Sequence, residues 1–267
     1  MPARFPERIV CLTEETTETL YLLGEERRIV GISGYTVRPP RARREKPRVS
    51  AFLSARMDRI TELKPDLVLG FSDLQADIAR DLARAGLNVV LFNQRSVQEI
   101  LDTIGMLASL VGASDKGAAL VGRLEKNLAA IRESAKAFPR RPRVYFEEWD
   151  EPCISGIRWV SELVGIAGGD DCFPELALMP LGKDRIIGEP QRIVDRAPDM
   201  VVGSWCGKKF RPERVAARPG WQDVPAVRDG ELHEIKSADI LQPGPAALTD
   251  GVEQLHRIVL DWSARHG

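Results

Sequence analysis

Apolar residues along this chain gather into short continuous runs separated by stretches of helical spacing. Segments at 8–12, 29–32, 67–69, 87–92, 144–146, 200–202 and 232–235 read as strands, and 67–69 and 200–202 have the apolar continuity of strands covered on both faces. One segment occurs twice: ITELKPDLVLG at 60–70 returns, 133 residues later, as IVDRAPDMVVG at 193–203. Ile, Pro, Asp, Val and Gly keep their spacing. Each copy predicts a helix end, a stop at Pro65 or Pro198, a short buried strand, and a glycine where the chain leaves the sheet. Two copies imply two similar α/β lobes.

The intervening segments fill in the pattern. Thr13-Glu14-Glu15 opens a helix, with carboxylates at the positive end of its dipole, and Gly24 closes it. A proline- and arginine-rich connection at 38–48 leads to the helix that stops at Pro65. Asp73 is expected to cap a helix reaching Gly86. Ser96-Val-Gln-Glu99 has the spacing of a capping box, for a helix ending near Gly112. Strands alternating with helices predict a parallel, helix-covered sheet.

Residues 114–138 hold no proline and place Leu120, Val121, Leu124, Leu128 and Ile131 at helical spacing, a rod of roughly 36 Å at about 1.5 Å per residue. Gly117 and Gly122 lower its helix propensity without breaking the pattern. The chain breaks at Pro139-Arg-Arg-Pro142. The fold expected is therefore α/β: two Rossmann-like lobes with parallel sheets joined by a long rigid interdomain helix. The N-terminal lobe spans 1–112, the helix 113–138 and the C-terminal lobe 139–267. Such a helix disfavours large hinge motion. In the second lobe a helix runs from Trp159 to Gly165, turns fall at Gly168-Gly169 and Asp229-Gly230, and a closing helix at 246–264 follows Pro243-Gly244-Pro245.

Composition narrows the function. The 267 residues suffice for two domains, and 43% apolar with 29% charged residues is ordinary for a globular protein. A net charge of −1 gives no global attraction to nucleic acid or anionic membrane. Cys11, Cys153, Cys172 and Cys206 lack paired spacing, so neither a disulfide scaffold nor a structural zinc site is expected, and reduced thiols suit the cytoplasm. No signal-peptide core opens the chain, and no run approaches the ~18–20 apolar residues of a membrane span. The chain as written is expected to be cytoplasmic, or periplasmic if it is a trimmed mature form, and not membrane-inserted. His233, His256 and His266 are the three histidines; the first sits in a strand and the others on or beyond the closing helix, so neither an imidazole metal site nor an intrinsic cofactor is expected. There is no GxSxG, P-loop or strand-following GxGxxG.

Ligands of parallel sheets lie beyond the carboxyl ends of the strands. Those ends carry Thr13 and Glu14, Tyr35, Phe71 and Ser72, Trp149, Trp205 and Cys206, and Asp239, with Phe52 and Trp159 nearby in sequence. Where only 6% of residues are aromatic, that placement suits a large, flat, partly apolar ligand. Taken singly, each aromatic could equally plug the core. Cys206 as a nucleophile lacks an evident activating histidine. Lys208-Lys209 could meet an anion or be solvated, and Arg41, Arg43, Arg44, Lys46 and Arg48 read as a solvated loop.

A resemblance sharpens this reading. RIVCL at 8–12 with Thr17-Glu18, VGISGY at 30–35 with Pro39-Pro40, both Pro-Asp strands, EWDEP at 148–152, WVSELV at 159–164 with Gly168-Gly169, and Pro243-Gly-Pro245 together resemble the type III substrate-binding proteins of ABC importers. The likeness runs from Arg8 to Trp262 and is to the cobalamin-binding branch, related to haem and ferric-siderophore binders. It implies a non-enzymatic protein holding a corrinoid, cobalamin or cobinamide, in an interlobe cleft. Aromatics would pack on the macrocycle and strand-end polar groups would engage its amides. Tyr35 matches a cleft tyrosine of the cobalamin binders, and Phe52 and Phe71 fall where those proteins place tryptophans. The resemblance also implies an ABC permease partner, docked through one glutamate per lobe; here those positions hold Gln191, two residues from Glu189, and the region of Ala76-Asp77. The alternatives are the same fold binding haem or a ferric siderophore, and an enzyme such as a cytosolic chelatase or corrinoid-processing protein, for which Glu14, Glu148 and Asp239 are the titratable candidates.

Overall fold

Both copies of the repeated segment become interior strands of a sheet, and their surroundings explain why the same residues recur. A computed structural model describes residues 5–266. It divides into two units: unit 1 holds the chain up to Gln94 together with Gln98–Leu124, and unit 2 holds Arg95–Val97 and the residues from Glu125 onward.

Unit 1 is a five-stranded parallel sheet in the order β3-β2-β1-β4-β5, made of β1 (Ile9–Cys11), β2 (Ile29–Ser33), β3 (Arg48–Ser50), β4 (Leu67–Phe71) and β5 (Val89–Phe92). Helices Glu14–Leu22, Met57–Glu62, Ala76–Arg84 and Val97–Leu110 alternate with these strands. Ile9, Cys11, Leu67 and Leu69 fill the core on one face, while Val10, Leu12 and Val68 fill it on the other. Side chains alternate along a strand, so burial on both faces requires the unbroken apolar runs seen in the sequence.

Two details differ from expectation. The 38–48 connection contains a short helix, Ala42–Glu45, and is followed by β3. That strand buries only Val49 and Ser50, so it carries no periodic signal; pairing with β2 (Ile32↔Arg48, Ser33↔Ser50) defines it. Ser72, not Asp73, caps the next turn, its Oγ accepting from Leu74 N at 3.3 Å.

Unit 2 contains β6 (Arg143–Asp150), β7 (Cys153–Ser155), β8 (Asp170–Asp171), β9 (Met200–Gly203) and β10 (Leu232–Glu234), in the order β10-β9-β6-β7 with β8 also pairing with β6. The expected all-parallel sheet is mixed here, because β7 returns antiparallel to β6. Only Glu151 and Pro152 join them, far short of the dozen or so residues that a parallel crossover needs. Helix Arg158–Ala167 and closing helix Val252–His266 pack on one another. The closing helix is preceded by a π-helical turn, Ala247–Gly251, that sequence periodicity did not foresee.

The long helix is Ser114–Ala135, with Leu120, Leu124, Leu128 and Ile131 buried. Gly117, which costs the isolated helix stability, is needed for packing: a Cβ there would lie 2.3 Å from that of Ala108.

The repeat is a structural staple. In unit 1, Asp66 accepts the backbone N–H groups of Glu7 (2.7 Å) and Arg8 (3.0 Å), while Asp66 N donates to Arg8 O (2.9 Å). In unit 2, Asp199 accepts from Arg143 N (2.8 Å) and donates its own N–H to Arg143 O (2.8 Å). Arg8 and Arg143 each reach back to helix-end carbonyls, those of Leu63 and Lys64 in one case and Arg196 in the other. Lys64 and Ala197, the residues before each proline, both take positive φ, 47° and 42°. Burial opposes ionisation of Asp199, but the hydrogen bonds and charge of Arg143, with Arg140, hold its carboxyl below the usual range. Each aspartate thus sets the register of a central strand against its neighbour. The closing glycine is equally constrained: a Cβ on Gly203 would sit 1.9 Å from the Phe210 ring, and one on Gly70 2.7 Å from Leu91.

Candidate functional site

In a doubly wound sheet of this strand order, the direction of winding reverses between β1 and β4, and the carboxyl ends of those strands flank the ligand-binding crevice. Thr13 and Glu14 follow β1, and Ser72 follows β4. Helix Glu14–Leu22 is buried from Glu14 through Tyr21, so its first turn brings carboxylates into the interior of unit 1. Thr13 Oγ1 donates to Glu15 Oε1 at 2.5 Å, Arg38 N donates to Glu14 Oε1 at 3.0 Å, and Arg38 Nε donates to Glu18 Oε1 at 2.9 Å. Burial, reinforced by the neighbouring carboxylates, pushes Glu14 up to about 8 and Glu15 up to about 7. Glu15, Glu18 and Arg38 were not among the site residues expected from the sequence, although a TEETTE run directly after a strand was a visible signal.

The aromatics of this unit separate by exposure. Tyr35, two residues beyond β2, is 64% exposed. Phe52 is half-buried on a turn closed by Ala51 N donating to Ser54 O (2.8 Å), beside an exposed Leu53 that sequence reasoning missed. Phe71 is buried at the end of β4. Ser72 adopts φ 62°, ψ 172°, a region that residues with a Cβ rarely occupy and that tends to mark functional sites.

In unit 2 the strand ends carry a denser ionic network. Glu147, fully buried on β6, is held by both Arg218 nitrogens (2.6 and 2.9 Å) and by Trp205 Nε1 (3.0 Å). Glu148 accepts from both guanidinium nitrogens of the buried Arg185 (2.6 and 3.1 Å). Asp150 is paired with Lys208, and Arg214 lies 3.7 Å away. Lys208, for which solvation was one of two expectations, covers the half-buried Trp149, its Nζ 4.1 Å from the ring centroid. Trp205 is buried edge-on to Phe210 (centroids 4.9 Å apart), and Trp159 is buried with Nε1 donating to Ile240 O at 2.9 Å. Both are core residues. Cys206 is an exposed residue whose thiol is pushed up by desolvation at the sulfur and by the charge of Glu148, which keeps it protonated and poorly nucleophilic. Asp239 is half-buried and accepts from Gln254 Nε2 at 3.2 Å.

The histidines are engaged elsewhere. His233 pairs with Glu231 (2.9 Å), and His266 stacks on Trp262. His256, expected at the surface, bonds Ala167 O (2.9 Å) and Ser134 Oγ (3.1 Å). Among the described residues, no group of His, Cys, Asp and Glu is arranged to hold a metal ion, and no helix is long and apolar enough to cross a membrane. A groove of about 900 Å³ in unit 1, lined by Val90, Phe92, Leu101, Met106 and Leu110 among others, runs along the outer strand β5 and contains none of the expected site residues. A smaller pocket of about 130 Å³ in unit 2 is lined by Asp150, Glu151, Arg214 and Arg218. The groove is the larger, but the polar groups and the strained serine lie at the strand ends, which fit ligand recognition better.

Two α/β units with aromatic and ion-paired groups at their strand ends are compatible with a solute-binding protein, and the family match makes that class definite. The chain belongs to the periplasmic binding protein family, whose model matches residues 9–238. It is 26% identical over 259 residues to an uncharacterized ABC transporter substrate-binding lipoprotein, YvrC, of Bacillus subtilis, a match covering 94% of this chain and 79% of that one. It is 24% identical over 219 residues to a vitamin B12-binding protein of Yersinia pseudotuberculosis, covering 81% and 75%. Among solved structures, it resembles a possible iron-binding periplasmic solute-binding protein of Staphylococcus epidermidis (TM-score 0.82, 20% identity, covering 96% and 99%). It also resembles a periplasmic heme-binding protein of Pseudomonas aeruginosa (TM-score 0.80, 20% identity, covering 95% and 92%). At these identities the structural likenesses establish the fold.

Proposed function

We propose that this protein is the solute-binding component of an ABC-type importer and that its ligand is a corrinoid, cobalamin or cobinamide. The observation that carries the reading is the sequence match to a vitamin B12-binding protein across 81% of the chain. The side chains available at the strand ends support it. Tyr35 and Phe52 in unit 1 retain exposed surface, as do Trp149, Cys206 and Asp239 in unit 2, and each set offers aromatic or polar groups suited to a macrocycle and its amides. Thr13, Glu14, Phe71, Ser72, Trp159 and Trp205 are buried and would act by shaping that surface.

The choice of corrinoid over haem rests on that sequence match, and axial ligation is where the two are tested apart. Haem iron takes a protein ligand such as His or Tyr. The three histidines are engaged away from the strand ends, and of the three tyrosines only Tyr35 is exposed. A corrinoid held by packing and hydrogen bonds needs no protein ligand to its metal. The test is titration of the purified protein with aquocobalamin, dicyanocobinamide and haemin, followed by visible spectra and calorimetry. Micromolar or tighter corrinoid binding that survives Tyr35→Phe supports the proposal. Haemin binding lost in Tyr35→Phe, with neither corrinoid bound, overturns it.

A further inference from the structure

Lys208 has no role in the function proposed above, yet it lies at the centre of the strand-end network of unit 2. Its ammonium is paired with Asp150, whose side chain is 4% exposed. The same ammonium lies 4.1 Å from the centroid of the Trp149 ring and 5.0 Å from that of Trp205. Trp149 is tethered a second time, its Nε1 donating to Glu151 O at 2.9 Å. Trp205 is fixed through Glu147 and Arg218. One cation therefore joins the end of β6 to the segment after β9 and lies over two indoles, one on β6 and one just beyond β9.

We propose that Lys208 is a positioning residue for the ligand: anchored on Asp150, it holds Trp149 in one orientation against Trp205 and so preforms the aromatic platform of unit 2. A partly exposed indole free to change rotamer would lose conformational entropy when a ligand settles on it. A cation anchored over the ring removes much of that freedom beforehand. Cation–aromatic contacts have the strength to do this when partly shielded from water, and the Lys208 side chain is only 34% exposed. The ligand-binding part of the inference rests on the reading of the protein as a corrinoid binder; the ordering of Trp149 does not.

The experiment exploits the tryptophans. Trp159, Trp205, Trp221 and Trp262 are 1–3% exposed, while Trp149 is half-buried, so acrylamide quenching of indole fluorescence reports mainly on Trp149. Lys208→Met is expected to raise quenching and to weaken cobalamin binding about fivefold, the size of one partly desolvated cation–aromatic contact. Lys208→Arg is expected to restore both. Lys208→Met combined with Asp150→Asn gives the same result without leaving a buried carboxylate to the more distant Arg214 alone, which covers the case in which the single variant fails to fold. Unchanged quenching in a folded Lys208→Met protein overturns the ordering of Trp149. Raised quenching with unchanged affinity overturns the link to the ligand. If the wild-type protein binds no corrinoid at all, the functional reading has failed, and the quenching series still decides whether Lys208 orders the platform.

Discussion

Replacing Glu15 by glutamine tests the buried carboxyl cluster of unit 1 most directly. Glu15 is 3% exposed, and burial pushes its carboxyl from the ordinary 4.5 up to about 7. Between those values the unfolded chain has released a proton that the folded chain still holds. Stability from this group is therefore fully present below about pH 4.5 and is lost as pH rises toward 7. At about 1.4 kcal/mol per pH unit, the whole window is worth about 3 kcal/mol. Glu14, pushed to about 8, acts in the same direction and extends the loss by a further unit. Gln at position 15 keeps the shape of the protonated side chain and an acceptor for the Thr13 hydroxyl, but it cannot ionise. The expectation is a variant within about 0.5 kcal/mol of wild type at pH 5 and up to about 3 kcal/mol more stable at pH 8, a rise in Tm of roughly 6–12 °C. Thermal and urea unfolding by circular dichroism from pH 5 to 8, run on both proteins, gives the comparison. A wild-type stability that increases across this window, or a variant less stable than wild type at pH 8, would refute the reasoning.

Other outcomes follow from individual contacts. Arg218→Met leaves the fully buried Glu147 without its countercharge and should cost about 3–5 kcal/mol; adding Glu147→Gln should recover part of that loss in urea titrations. Gly203→Ala drives a methyl into the Phe210 ring and should lower stability by about 1–3 kcal/mol or more, whereas Gly188→Ala, with no neighbour within 4 Å, should melt close to wild type. Tyr35→Ala should leave the melting temperature unchanged while weakening corrinoid binding. Trp205→Ala should lose about 3–5 kcal/mol of stability, so any loss of binding there reflects the fold and not a direct contact.

Much of the architecture could be read from local pattern. The strands buried on both faces, the helices between them and the helix Ser114–Ala135 all follow from apolar runs, helical spacing and proline stops. What escaped had no local signature. β3 contributes a single buried apolar residue, Val49, and exists because β2 offers it an edge. β7 lies beyond a two-residue turn whose consequence, an antiparallel partner in an otherwise parallel sheet, depends on where the chain can go in space. The candidate site was legible in location but not in detail. Strand ends pointed to Tyr35 and Trp149 and proximity in sequence to Phe52, yet the same two criteria pointed equally to Trp205 and Trp159, and nothing in the sequence distinguishes an indole facing solvent from one donating to Ile240 or Glu147.

The repeated Pro-Asp segment divides these two kinds of information. By itself the sequence determined that the chain holds two related α/β units, because a proline stop, a buried run and a glycine impose the same local geometry wherever they recur. Only the tertiary structure decided what the conserved spacing does: Asp66 and Asp199 bind the backbone of Arg8 and Arg143, residues 58 and 56 positions away. It likewise decided that Glu147 meets Arg218 and that Lys208 covers Trp149. Local geometry is encoded within a few residues by sterics and hydrogen bonding, whereas pairing between distant charges and rings depends on which strands become neighbours, and that emerges only when the sheet is assembled.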